Sequence, residues 1–387
     1  MVAYLKNRTN RRLFMNKNRR QTMQWLAAGA AAATLPALAI GAEAPLKSIA
    51  AAKGMRFGSA LGYAHRKPAY LELMARECNT IVAENETKWQ AVQPRPGQFD
   101  FTRADTMFEW ARAKGMNVRG HTLVWQPSKW LPDWINQHDF GAAPAREAER
   151  LLQAHIGAVT RHFGNGIYSW DVVNEAVDPD TGAMRNNVFT ERLGAIEQVD
   201  LCFRLAREQL PSAQLVYNDY MRWDEGSAKH RAGVLKMLQA LKKRGTPVQA
   251  LGIQSHIGSW DDSRNASHDL AEWRRFLDEV TGMGLDLLVT EFDVNDRKLP
   301  ADVAARDAGV AALARDFLDA TFSYPQCRDF LLWGMSDDIS WLQTWHEAPR
   351  TDKLPMRPCP YDAQLRAKPL REAIAAALRA MPQRSVA

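Results

Sequence analysis

Between residues 55 and 334, short apolar runs alternate with longer stretches whose apolar positions recur every three to four residues. The runs have the length of buried strands and are bounded by turn-forming residues. They begin MRFGSA at Met55, TIVA at Thr80, NVRGHTLV at Asn117 and YSWDVVN at Tyr168. They continue with QLVYN at Gln214, ALGIQS at Ala250, DLLVTE at Asp286 and DFLLWG at Asp329. Between them, TRADTMFEWARAKG and AREAERLLQAHIGAVTRHFG carry the helical period, with Gly115 and Gly164 as natural helix stops. Eight strands that each lead to a helix are the arithmetic of a (β/α)8 TIM barrel. A doubly wound open sheet is the competing fold. It usually carries a glycine-rich phosphate turn after a strand, and neither G-x-G-x-x-G nor G-x-x-x-x-G-K-[ST] occurs here.

Two of the apolar runs end on an acid: Glu175 in WDVVNEAVD and Glu291 in LLVTEFDV. A lone carboxylate is seldom fully buried unless it is paired or used. In a TIM barrel the C-terminal strand ends are where catalytic groups gather. Other strand ends contribute Glu84, Asn85 and Glu86, His121 and Trp125, Asn218 and Asp219, Gln254 and His256, and Trp333. Carboxylates, amides, imidazoles and indoles together make a wet, aromatic-walled cleft suited to a sugar.

Cleaving a glycosidic bond needs a proton for the leaving oxygen and stabilisation of an oxocarbenium-like carbon, and two carboxyl groups supply both. Glu291 has the better surroundings for the ionised role. His256 and Asp293 can orient it, and residues 291 and 293 share a face if the strand continues that far. Glu175 is then the acid. Its neighbour Asn174 reaches the same cleft only if the strand ends or bulges there.

The motifs AENETKW (Ala83–Trp89), RGHTLVW (Arg119–Trp125), WDVVNEA (Trp170–Ala176), YNDY (Tyr217–Tyr220), GIQSHI (Gly252–Ile257), TEFDV (Thr290–Val294) and LWGMSD (Leu332–Asp337) with Trp341 stand in this order along the chain. Together they resemble glycoside hydrolase family 10, the endo-1,4-β-xylanases. The resemblance implies a retaining endo-hydrolase with Glu175 as acid/base and Glu291 as nucleophile. It implies that Asn174 binds the sugar 2-hydroxyl and that His256, Asp293, Gln254 and Asn218 orient the carboxylates. It also places Glu84, Asn85, Lys88, His121 and Trp125 on the sugar-binding wall, covered by Trp333 and Trp341. The chain departs from the family at Gln126, where a histidine is usual; an amide can donate and accept but cannot be charged. Gln126 is therefore expected beside the substrate, tuning specificity at the bond. The stretches MRWDEG after Tyr220 and NDRKLP from Asn295 are unusual too, and are expected to shape the aglycone side.

Charge and composition narrow the picture further. The net charge of +6 sits at the start: residues 1–44 carry seven Lys/Arg and one acid, leaving 43 of each sign in the body. A near-neutral body gives no basis for nucleic-acid binding. The first 44 residues read as a cleaved export signal, with NRRQT before the apolar run WLAAGAAAATLPALAI and cleavage expected between Ala39 and Ala44. Arg19-Arg20, or Arg11-Arg12, resembles a twin-arginine signal, so a periplasmic or secreted protein is expected. The run is short for a membrane span and Pro36 interrupts it.

Residues 45–387 are then one catalytic domain, expected to act as a monomer on xylan or xylo-oligosaccharides, with no cofactor, metal or membrane anchor. Four scattered cysteines offer no zinc pattern, and a Cys327–Cys359 bridge is left open. Trp89, Trp125, Trp333 and Trp341 are expected in the cleft. Trp110, Trp130, Trp134, Trp170 and Trp273 are expected in packing, with His155 and His162 as ordinary helix residues. A β-glycanase preferring glucan or short oligosaccharides, and a barrel that binds sugar without cleaving it, are the alternatives.

Overall fold

Eight parallel strands close on themselves in the computed structural model, which describes residues 43–259, 269–347 and 349–384. The expected export signal, apart from Glu43 and Ala44, lies outside the described residues. Residues 44–387 form one unit. Its barrel strands are β1 (Arg56–Leu61), β2 (Thr80–Ala83), β3 (Asn117–Gly120), β4 (Ser169–Asn174), β5 (Gln214–Asp219), β6 (Ala250–Ile253), β7 (Asp286–Asn295) and β8 (Cys327–Leu332). Each pairs with the next, and β8 pairs back to β1 through Arg56↔Asp329 to Ser59↔Leu332, so no edge is left open. The TIM barrel read from the alternating pattern is the observed fold. Two short pieces extend the ring at its C-terminal mouth: Val124–Trp125 on β4, and His256–Gly258 on β7 with His256 opposite Asp293.

The outer ring consists of α1 (Pro68–Glu77), α2 (Thr102–Ala113), α3 (Pro144–Phe163), α4 (Ala195–Gln209), α5 (Ala228–Lys243), α6 (Leu270–Gly282), α7 (Val303–Phe322) and α8 (Pro369–Ala380). In α3 the buried positions Ala148, Leu151, Leu152, His155, Ile156, Val159 and Phe163 form one stripe, the helical period that the sequence shows. Truncating a fully buried aliphatic such as Leu152 or Ile156 to alanine costs about 2–5 kcal/mol. Gly115 and Gly164 both have positive φ at the ends of α2 and α3, as helix stops require.

Inside the barrel, period-two alternation stacks layers. Val216, Ala250 and Leu288 form one apolar layer. Two residues on, towards the mouth, the same strands present Asn218, Gly252 and Thr290, and this polar layer is the floor of the site. All four cysteines are buried and free, so Cys327 and Cys359 are not bridged. Each is packed as a small apolar group.

Candidate active site

A cavity of about 640 Å³ opens at the C-terminal mouth, lined among others by Glu84, Asn85, Lys88, His121, Trp125, Asn174, Glu175, Gln254, His256, Glu291, Trp333 and Trp341. The strand ends thus bring together the sequence-predicted residues except Gln126, with Asn218 and Asp293 just beneath as supports.

Backbone irregularities aim both acids. The β4–β5 register shifts between Asp171 and Val173, β4 ends at Asn174, and Glu175 has φ +59°. A side chain in that left-handed region costs on the order of 1–3 kcal/mol and persists only where its surroundings hold it. Here the Glu175 amide donates to the Asn218 carbonyl (2.9 Å) and the Ala176 amide to the Tyr217 hydroxyl (3.0 Å). The turn lets adjacent Asn174 and Glu175 enter one cleft. On β7 the pairing with β8 jumps from Val289↔Phe330 to Phe292↔Leu332, a bulge at Thr290–Glu291 that turns both residues towards the site. The strand continues to Asn295, so Glu291 and Asp293 do lie on one stretch of β7.

A chain of amides links the carboxylates. Asn218 donates from Nδ2 to Glu291 Oε1 and to Asn174 Oδ1, both at 2.8 Å. Gln254 Nε2 donates to Asn174 Oδ1 (3.3 Å) and to Glu175 Oε1 (3.0 Å). Thr290 Oγ1 donates to Asn218 Oδ1 (2.7 Å), which fixes the amide's orientation. Gly252 makes room for this: a Cβ there would sit 2.3 Å from Asn218 Oδ1.

The two acids meet opposite electrostatic surroundings. Burial alone would raise Glu291, but His121, His256 and Lys88 outweigh it and bring its pKa down to about 2. His256 Nε2 is 3.4 Å from Glu291, and its Nδ1 is 3.0 Å from Asp293, which also accepts from Trp341 Nε1 at 2.7 Å. Burial works against a charge on His256, yet Asp293 and Glu291 raise its pKa to about 10. Glu175 moves the other way. Burial raises its pKa, the neighbouring Asp219 adds to the effect, and donation from Gln254 only partly opposes them. One carboxyl is poised to hold a proton and the other to stay ionised.

The wall residues are braced. Lys88 Nζ donates to Asn85 Oδ1 (2.9 Å) and lies 4.5 Å from the Trp125 ring centroid, and burial lowers its pKa. Glu84 Oε2 is 3.8 Å from His65, and burial raises its pKa. His121 packs edge-on to Trp333 at 5.4 Å between centroids.

Three expectations are corrected. Gln126 is fully buried outside the cleft: its Nε2 donates to Gln198 of α4 at 2.6 Å and its carbonyl accepts from Asn187. Its amide and carbonyl brace the loop, so it does not sit beside the substrate. Trp89 is 2% exposed and stacks on His155 at 3.8 Å, which makes it core. Trp130 is the reverse case. It lines the cleft and stacks on Trp125 at 4.3 Å with an interplanar angle of 8°.

Several residues of the site escaped the sequence reading. Asp171 accepts from Arg119 and lies 2.9 Å from His121 Nδ1, so it orients that histidine from below the cleft. It stands in the middle of an apolar run, the same signal that marks Glu175. Asp178, Arg185, Tyr220 and Trp345 line the rim on loops, where no periodicity betrays them, and Arg222, from the MRWDEG stretch expected to shape the cleft, lines it with them.

The profile of glycosyl hydrolase family 10 matches residues 45–377. The chain belongs to glycosyl hydrolase family 10. Endo-1,4-beta-xylanase 1 of Humicola insolens is 32% identical over 312 residues, covering 78% of this chain and 68% of that protein. Exoglucanase XynX of Acetivibrio thermocellus is 31% identical over 323 residues, covering 81% of this chain. The match spans only 27% of that relative's length. Xylanase 10B from Thermotoga petrophila, solved in complex with xylobiose, shares the fold with a TM-score of 0.77 at 28% identity, covering 87% of this chain and 97% of that one.

Proposed function

We propose that this family-10 protein is a retaining endo-1,4-β-xylanase. The observation that carries the reading is the opposed surroundings of the two acids: burial and Asp219 push Glu175 towards its protonated form, whereas His121, His256 and Lys88 push Glu291 towards its ionised form. Glu175 gives its proton to the glycosidic oxygen while Glu291 bonds the anomeric carbon, forming a glycosyl-enzyme; Glu175 then draws a proton from water as that water displaces Glu291. Asn174, oriented by Asn218 and Gln254, faces the sugar 2-hydroxyl, a contact that strengthens as the carbon gains positive charge. Trp125, Trp333 and Trp341 present apolar faces to pyranose rings, and Glu84, Asn85 and Lys88 present polar ends to their hydroxyls. The naming of similar proteins as xylanases, one of them holding xylobiose, supports a xylan substrate.

Product anomers followed by proton NMR on xylan test the mechanism. The β-anomer should form first, and an initial α-anomer is incompatible with two displacements. A glucan preference is the second reading, favoured by the relative named exoglucanase. Parallel assays on xylan and carboxymethyl-cellulose decide between them, and faster cellulose hydrolysis overturns the substrate assignment. The basic and apolar first 44 residues support export as well. Mass spectrometry of the protein recovered from cells should find a chain starting between residues 40 and 45, and an intact Met1 would end that part of the reading.

A further inference from the structure

Beneath Glu175 lies a buried cluster that takes no direct part in breaking the bond. Asp219, the last residue of β5, is completely buried. Its carboxylate accepts from the Tyr217 hydroxyl and from the Tyr220 amide (2.8 Å), and His230 Nε2 of α5 lies 3.1 Å away. The Tyr217 oxygen, spending its proton on Asp219, has its lone pairs turned elsewhere, and one accepts the Ala176 amide at 3.0 Å. That amide directly follows Glu175, whose left-handed backbone is held on its other side by Asn218. The route from Asp219 to the acid is therefore short: carboxylate, phenol, amide, turn.

We propose that Asp219, acting through the Tyr217 hydroxyl, is a positioning residue for the acid/base, locking the turn that aims Glu175 and keeping a fixed negative charge beneath it. The inference rests on the reading of Glu175 as the acid/base. It explains why a carboxylate is buried at a strand end without touching the cleft. A structural cluster could hold the turn with any polar group, whereas a charge here specifically discourages Glu175 from giving up its proton to solvent. Asp219 is the neighbouring charge with the largest effect on Glu175. The other titratable groups that face Glu175 are Tyr217 and Tyr220 near the end of β5, Lys88 after β2 and Glu291 on β7. Arg185, on the loop after β4, reaches this side by donating to the Tyr220 hydroxyl at 2.6 Å.

Two variants separate the charge from the hydrogen bond. Asp219→Asn keeps one acceptor oxygen, which can serve Tyr217 at the expense of the Tyr220 amide, and removes the charge, so Glu175 should release its proton more readily. The alkaline limb of kcat/KM on xylan should move down by roughly one pH unit. Tyr217→Phe deletes one oxygen and frees the turn; kcat on xylan should fall roughly tenfold with KM nearly unchanged. Both are then compared on dinitrophenyl xylobioside, whose leaving group departs without a proton. First-turnover release of dinitrophenol should stay within about twofold of the wild type, because no acid is needed there.

An unmoved alkaline limb in Asp219→Asn, or equal losses on xylan and on the activated substrate, overturns the proposal in favour of a structural role. If Asp219→Asn does not fold, Tyr217→Phe decides alone by the contrast between substrates. A wild-type enzyme that cleaves neither xylan nor the aryl xylobioside is a different failure, that of the proposed function, and is seen before any variant is made.

Discussion

Glu175 and Glu291 are the same residue type at the ends of strands of one barrel, yet their surroundings differ in almost every respect. Around Glu291 the influential neighbours are charged or chargeable: His256 at 3.4 Å, His121 at 3.9 Å and the Lys88 ammonium, with Asn218 as a neutral donor. Around Glu175 the donors are neutral amides, Gln254 and Asn174, and the charge with the largest effect, Asp219, is negative. Burial pushes both carboxyls towards the protonated form. Only Glu291 has enough positive charge to reverse it. A functional split between two identical side chains is therefore written in their neighbours, and the neighbours are what the following experiments change.

Removing either acid breaks the comparison outright, to unequal extents. Glu291→Ala abolishes covalent catalysis on every substrate, and kcat should fall by roughly four or more orders of magnitude. Glu175→Ala removes proton transfer only, so the loss on xylan should be roughly 10²–10⁴-fold, shrinking on an aryl glycoside with an activated leaving group. Values of kcat/KM on the two substrates, which report the first displacement alone, check both statements; equal losses on the activated substrate would erase the distinction between the roles.

The pH profile sharpens it. Activity needs Glu291 ionised and Glu175 protonated, so kcat/KM should rise through the Glu291 pKa and fall through that of Glu175. With Glu291 lowered to about 2, the acid limb lies below the ordinary carboxylate range, and with Glu175 raised the alkaline limb lies above it. His256→Asn keeps a hydrogen-bonding group but removes the cation, so the Glu291 pKa should rise and the acid limb move to higher pH, with kcat down roughly tenfold or more. The alkaline limb should stay in place. A shift of the alkaline limb instead would mean that His256 governs the other acid.

How much of this was legible in the sequence follows from the kind of signal each part leaves. The eight strands and their helices impose periods on the chain, and the barrel was readable from them. Glu175 and Glu291 were readable because an acid closing an apolar run is costly unless used. Asp171 leaves the same mark but stands mid-run, and went unread. What aims the acids leaves no mark at all: nothing in WDVVNEA announces φ +59° at Glu175, and nothing in LLVTEFDV announces the bulge at Thr290–Glu291. The misplacements share a cause. Trp89 and Gln126 flank cleft residues in the chain, but one step along a turn reverses a side chain, so Trp89 faces His155 and Gln126 faces Gln198. Trp130 lies in a short turn of 3-10 helix, Ser128–Trp130, where no period distinguishes inside from outside.

Trp130 also offers the mildest perturbation of the contrast, because it touches neither acid. Its ring continues a stack: the Lys88 ammonium lies 4.5 Å from the Trp125 centroid, Trp125 lies 4.3 Å from Trp130, and the Lys129 ammonium lies 5.1 Å from Trp130. Lys88 is the group in this stack that also helps to hold Glu291 ionised. If Trp130 only adds aromatic wall, Trp130→Ala forfeits one aromatic contact, about 0.5–1.5 kcal/mol. KM for xylan should then rise roughly two- to tenfold with kcat and both pH limbs unchanged. If the ring instead keeps Trp125 and Lys88 in place, the acid limb should move up as the ammonium withdraws from Glu291, and kcat should fall while KM holds. A KM effect alone is the expected result, since Asn85 anchors Lys88 at 2.9 Å without help from either indole.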